Sequence, residues 1–168
     1  MKRYFDCDGV ILDTEEGLRR AYLALKSVRP DITADWFYAN VDWDNWLKTH
    51  SDINNAIEIL KSNDPDENII LTSINSLDEL KYKVLFFRSI GLKNPIIGVP
   101  PGVEKWQMVD PVGNILVEDK QKNIDGWNDH GGYAIHIDEV EDLNEVIKMD
   151  ERFVNREIGK RQKRIIHN

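Results

Sequence analysis

The chain has 168 residues, a hydrophobic share of 41% and a net charge of −8 from 22 basic and 30 acidic side chains. That is enough apolar material for one compact unit, and the acidic balance argues against general nucleic-acid binding, because polyphosphate repels a negative surface. The single cysteine, Cys7, excludes an intrachain disulfide framework and a cysteine-held zinc. No apolar run is long enough to span a bilayer and the first residues lack the apolar centre of a signal peptide, so a cytoplasmic protein is expected.

Residues 2–5 read as a first strand that delivers Asp6. Residues 15–27 read as a helix, with Leu18, Ala21, Tyr22 and Leu25 at helical spacing, Thr14 as its cap and Pro30 beyond its end. The next stretch gathers Trp36, Phe37, Tyr38, Trp43 and Trp46 among acids, and 53–60 reads as a helix capped by Ser51 or Asp52. Residues 63–66, Asn-Asp-Pro-Asp, are linker-like. Strand and helix then alternate: strand 69–71, helix 76–90 closed by Gly91, strand 95–99, a short strand 106–109, strand 115–117, helix 122–129, strand 134–137 and helix 140–149. Strands this short and apolar imply a parallel sheet buried on both faces. The expected architecture is therefore α/β: a Rossmann-like parallel sheet flanked by helices. Residues 1–14 and 63–150 form its core, 15–62 a small helical cap inserted after the first strand, and 151–168 a basic C-terminal tail. That tail carries six basic residues (Arg152, Arg156, Lys160, Arg161, Lys163, Arg164) against two acids. It reads as a solvated helix or frayed end, or alternatively as a subunit or weak nucleic-acid contact.

The chemistry-bearing residues lie at the ends of these strands, where α/β sheets keep their sites. Asp6-Cys7-Asp8-Gly9 follows the first strand, and its glycine permits a sharp turn close to a ligand. Thr72-Ser73 ends the next strand, Lys105 follows a Pro-Pro-Gly turn, and Glu118-Asp119 ends the strand at 115. Taken singly, each has an ordinary reading: a turn and helix-entry pair, a helix cap, a solvated lysine, a helix-start acidic cluster. Cys7, between the two aspartates, reads as an inert small side chain.

Together and in this order, the four resemble the motifs of the haloacid dehalogenase-like (HAD) phosphohydrolase superfamily: Asp-x-Asp, Ser/Thr, Lys and an acidic pair. The run from Val117 to Trp127, with Lys-Asn-Ile after the acidic pair and then Asp125, resembles the 5′(3′)-deoxyribonucleotidase-like branch. The resemblance implies Asp6 as the nucleophile of an aspartyl-phosphate and Asp8 as general acid and base. It implies Thr72 and Ser73 as phosphate ligands and Lys105 as the neutralising cation, for which Lys81, Lys83 and Lys93 are rivals. It also implies Mg²⁺ held by Asp6, the Asp8 carbonyl, Glu118 and Asp119. Glu118 departs from the commoner Asp and lengthens that ligand by one methylene. Asp8 favours phosphoryl transfer over dehalogenation, since a departing halide needs no proton.

Phe37, Trp43 and Trp46 are candidates to stack on a nucleobase, unless they form the cap's own core. The expected activity is Mg²⁺-dependent hydrolysis of a small phosphomonoester, a (deoxy)nucleoside monophosphate for choice, with no membrane or stable nucleic-acid partner. The alternatives are a sugar-phosphate phosphatase or phosphomutase, a silent binding module of the same fold, and a nucleic-acid end phosphatase using the basic tail.

Overall fold

A computed structural model describes the backbone of residues 1–166 and the side chains of residues 1–161. Five short strands, β1 (Arg3–Phe5), β2 (Asn68–Ser73), β3 (Ile96–Val99), β4 (Ile115–Glu118) and β5 (Tyr133–His136), make one parallel sheet in the order β3-β2-β1-β4-β5. The strand order reverses between β1 and β4, so a crevice opens at their C-terminal ends. Phe5 pairs with Ile70 on one side and Val117 on the other. The register thus places Asp6 beside Glu118, with the end of β2 on its other flank.

Side chains alternate between the faces, as the pleat requires. Phe5, Ile70, Val117 and Ile135 point into one core cluster, while Tyr4, Ile69, Leu71, Leu116 and Ala134 point into another. Both faces are covered by helices, which is why these strands carry almost no polar residues before their ends.

The helices are α1 (Glu15–Val28), α2 (Ala34–Ala39), α3 (Trp43–Lys48), α4 (Ala56–Lys61), α5 (Leu77–Ser89), α6 (Lys105–Met108), α7 (Gln121–Asp129), α8 (Leu143–Ile147) and α9 (Glu151–Ile166). None among the described residues is long and apolar enough to cross a membrane. Between β1 and β2 the elements after the loop at residues 6–14 are helices, and the chain enters α4 through left-handed Asn54 and Asn55, at φ 46° and 61°. Leu47 of α3 and Ala56, Ile57, Ile59 and Leu60 of α4 then join the same core cluster as Phe5.

The expected strand at 106–109 is instead helix α6. Its residues alternate apolar and polar, but the Gln107 side chain reaches back to accept the Glu104 N–H at 2.8 Å and nucleates a turn. The basic tail is helical and α9 returns to the sheet: Arg161 donates to Asn128 and to the Ala134 carbonyl, and its guanidinium lies 4.6 Å from the Tyr133 ring centroid. Of its basic residues, Lys163 and Arg164 lie outside the described side chains.

Candidate active site

The chain leaves β1 at Asp6 and folds at once into a tight loop. The Ile11 and Leu12 N–H groups both donate to the Cys7 carbonyl at 2.9 Å. Gly9 stands at φ +83°, and a Cβ there would meet Asp119 Oδ2 at 2.6 Å. Only glycine fits, for both its backbone conformation and this contact. The loop is thereby held against the end of β4 and brings Asp6, Asp8, Glu118 and Asp119 to one strand-end crevice. Cys7 is fully buried between the two aspartates, and burial pushes its thiol pKa up, so it is inert packing.

Lys105 occupies the centre of one half of this crevice. It is almost fully buried, 2.9 Å from Asp6 Oδ1 and 2.5 Å from Glu118 Oε2. Glu118 uses its extra methylene to fold back on its own backbone: Oε1 accepts the Asp119 and Lys120 N–H groups, and Oε2 also accepts Asn123 Nδ2. Burial opposes ionisation of Glu118, but Lys105 and these donors win and hold its pKa at about 2.

Asp6 and Asp119 go the other way. Burial, together with neighbouring Glu118, pushes Asp6 up to about 7 in spite of Lys105, and pushes Asp119 up to about 9. Asp6, Glu118 and Asp119 can each aim one carboxylate oxygen within 4.8 Å of the others, and Asp119 Oδ1 is buried with no hydrogen-bond partner. One lysine does not neutralise three clustered acids. An all-oxygen donor set with one orphaned acceptor could hold a hard divalent cation. His136 supports it from β5, donating Nε2–H to the Asp119 carbonyl at 2.9 Å while its Nδ1 accepts the Asp138 N–H.

The other half is built round Lys83 of α5. The buried stripe of α5 is Glu79, Lys83 and Phe87, one residue per turn. The Lys83 ammonium is fully buried and lies 2.5 Å from Asp8 Oδ2, 2.9 Å from Thr72 Oγ1 and 2.8 Å from Glu79 Oε1. Thr14 is not the helix cap its position promised: its hydroxyl donates to Asp8 Oδ1 at 2.5 Å. Burial would raise the Asp8 pKa, but the Lys83 charge and these hydrogen bonds bring it below the ordinary value.

Asp6 and Asp8 share a cleft of about 170 Å³ with Ser73, Asn75, Tyr38 and Trp43, and Lys120 stands at its rim paired with Glu15 at 2.9 Å. A second cleft, of about 350 Å³, lies between Ser73, the Pro100–Pro101–Gly102 turn and Lys105. Ser73, Asn75 and Lys120 border both.

Asp6, Asp8, Ser73, Lys105, Glu118 and Asp119 are thus brought to one place. Thr72 adjoins them, but its hydroxyl faces inward to Lys83 and Ser73 is the exposed partner. Of the rival lysines, Lys81 and Lys93 are exposed. Among the expected aromatics only Trp43 borders the cleft, and it is nearly buried, with its Nε1–H donated to the Tyr38 carbonyl. Phe37 packs on Tyr22 and Tyr38, and Trp46 on His50 and Gly17. Tyr38 is the aromatic that sequence reasoning missed, and only the surrounding aromatic cluster hinted at it.

No protein-family model matches this chain, and neither a curated protein nor a solved structure was found similar to it.

Proposed function

We propose that the protein is a Mg²⁺-dependent phosphomonoester hydrolase of the HAD type that works through an aspartyl-phosphate on Asp6. The observation that carries this reading is the pairing of two aspartates at one cleft, each bound to its own buried lysine, beside an acidic group with an unpartnered oxygen. Ester hydrolysis needs a nucleophile, a proton carrier and positive charge against the phosphoryl oxygens. Asp6, Asp8 and Lys105 supply them within one crevice, and Ser73 stands at its edge to donate a hydrogen bond to the phosphate.

In the first half-reaction an Asp6 oxygen attacks phosphorus, the ester P–O bond breaks, and the leaving oxygen takes a proton from Asp8. In the second, water attacks phosphorus and gives its proton to Asp8, the bond to Asp6 breaks, and phosphate leaves. The resting Asp8, held ionised by Lys83, is the form that accepts a proton from water. A phosphate dianion arriving beside it raises its pKa by like charge, which favours the protonated form the first half requires. Lys105 keeps Asp6 and the incoming oxyanion from repelling one another. The ion, held by Asp6, Glu118, Asp119 and the Asp8 carbonyl, would supply further charge neutralisation. Glu118 would take part by exchanging one of its present partners.

The first cleft has room for a phosphoryl group and part of its ester, and the rest of the ester extends past Tyr38 and Leu18 or over Ser73 into the second cleft. A (deoxy)nucleoside monophosphate suits the aromatic wall. A test is phosphate release from nucleoside monophosphates and sugar phosphates, with Mg²⁺ and with chelator. Metal-dependent release from nucleotides supports the whole reading, release from sugar phosphates alone discards the nucleotide part, and no release removes it.

A further inference from the structure

Lys105 is the lysine against Asp6, but its rival Lys83 is as deeply buried as any residue of the site. An ammonium has three N–H bonds. Here each meets a different part of the chain: Asp8 in the loop after β1, Thr72 at the end of β2, and Glu79 one turn earlier on α5. A buried cation needs a counter-ion and hydrogen bonds. Glu79, itself buried, already provides the counter-ion, so charge balance alone does not call for Asp8.

The arrangement adds position. Lys83 fixes one oxygen of Asp8 while Thr14 fixes the other, and each oxygen keeps a lone pair for a reacting group. Glu79 in turn accepts the Asn75 backbone N–H at 2.8 Å and its Nδ2 at 3.1 Å, and Asn75 borders both clefts.

We infer that Lys83 is a positioning residue for the acid–base step, acting through Asp8, with Glu79 anchoring it and tying it to the cleft wall at Asn75. The inference rests on the phosphatase reading. It makes a demand that a merely structural lysine does not: its loss should matter most where the leaving oxygen most needs a proton.

The test compares two esters in one protein sample, a nucleoside 5′-monophosphate with an alkoxide leaving group and p-nitrophenyl phosphate, whose leaving group departs as a stable anion. In Lys83→Met, kcat/KM for the nucleotide should fall on the order of 10²-fold, and for the aryl ester at least about tenfold less. Glu79→Gln should shift the ratio the same way by a smaller factor. Because both rates come from the same molecules, the ratio does not depend on how much of the variant folds. Should Lys83→Met yield no folded protein, Lys83→Arg, which keeps the charge but changes its reach, supplies the same ratio. A ratio unchanged from the unmodified protein, whether or not both rates drop, overturns the positioning role and leaves the phosphatase reading standing. An unmodified protein that hydrolyses neither ester removes both.

Discussion

The site contains the same device twice, with opposite electrostatic outcomes. Lys105 bridges Asp6 and Glu118, and Lys83 bridges Asp8 and Glu79; both lysines are buried. Round Lys83 the charges are matched closely enough that Asp8 titrates below its ordinary value. Round Lys105 a third acid, Asp119, is added, and Asp6 and Asp119 are driven up to about 7 and about 9. One half is electrostatically closed and the other still wants a cation. Burial, with Glu118 beside them, raises both Asp6 and Asp119, and Gly9 allows Asp119 to sit against the loop. On the proposed phosphatase reading a division of labour follows: the half with surplus negative charge would hold the metal and the nucleophile, and the matched half would hold the proton carrier.

The strongest way to break this comparison is to disable the two aspartates in turn. Asp6→Asn should abolish turnover, by about 10⁴-fold or more, because no other group can form the covalent intermediate. Asp8→Asn should cost about 10²- to 10⁴-fold and leave phosphate transfer to Asp6 measurable by single-turnover kinetics with an activated aryl ester. Equal residual rates in the two variants would contradict the assigned roles.

Asp119→Asn should separate the halves next. Apparent Mg²⁺ affinity, followed by calorimetry or by the metal dependence of the rate, should fall at least about tenfold. Glu79→Gln, on the matched side, should leave it within about twofold.

The same contrast has a pH signature. A carboxyl whose pKa is raised on folding keeps its proton in the folded state after the unfolded chain has lost it, so stability falls as pH rises between the two values. Asp6 and Asp119 are such groups, with folded values of about 7 and about 9 against an ordinary 3.8. Glu118, depressed to about 2, contributes stability that is complete above its ordinary value of 4.5 and is lost only in acid. The metal-free protein should therefore lose melting temperature between about pH 5 and pH 9. Added Mg²⁺ should raise it more at the upper end. A flat metal-free profile, or a Mg²⁺ effect that shrinks with rising pH, would count against the surplus-charge half.

The smallest effect belongs to the cleft wall. Tyr38→Ala should raise KM for a nucleotide several-fold, in keeping with about 1 kcal/mol for one aromatic contact. Trp46→Ala, behind the wall, should leave KM unchanged and instead lower the melting temperature.

Most of the α/β sheet was legible because its strands are short apolar runs that end in polar residues, and a strand end is where a parallel sheet exposes chemistry. Strand-end position brought Asp6, Glu118 and Asp119 forward, while the grouping with Asp8 and Lys105 rested on the motif resemblance, since Lys105 had rival lysines. Four things were not legible. Residues 105–108 alternate like a strand, and the Gln107 bond back to Glu104 makes them a helix. Thr14 stands where a cap should, but its hydroxyl accepts no helix N–H and instead donates to Asp8. Lys83 looks like any surface lysine in the sequence. Only its spacing from Glu79 and Phe87 marks it as facing inward, and burial of a lysine is rare enough that pattern alone does not call for it. The aromatics of the inserted segment could not be sorted either, since packing against one another and bordering a cleft leave the same composition.

The most direct measurement is inorganic phosphate release from a nucleoside monophosphate by the unmodified protein and by Asp6→Asn, each with Mg²⁺ and with chelator. The account predicts release only from the unmodified protein with Mg²⁺. Release that survives Asp6→Asn, or none from the unmodified protein on nucleotides, sugar phosphates and an activated aryl ester alike, would contradict it.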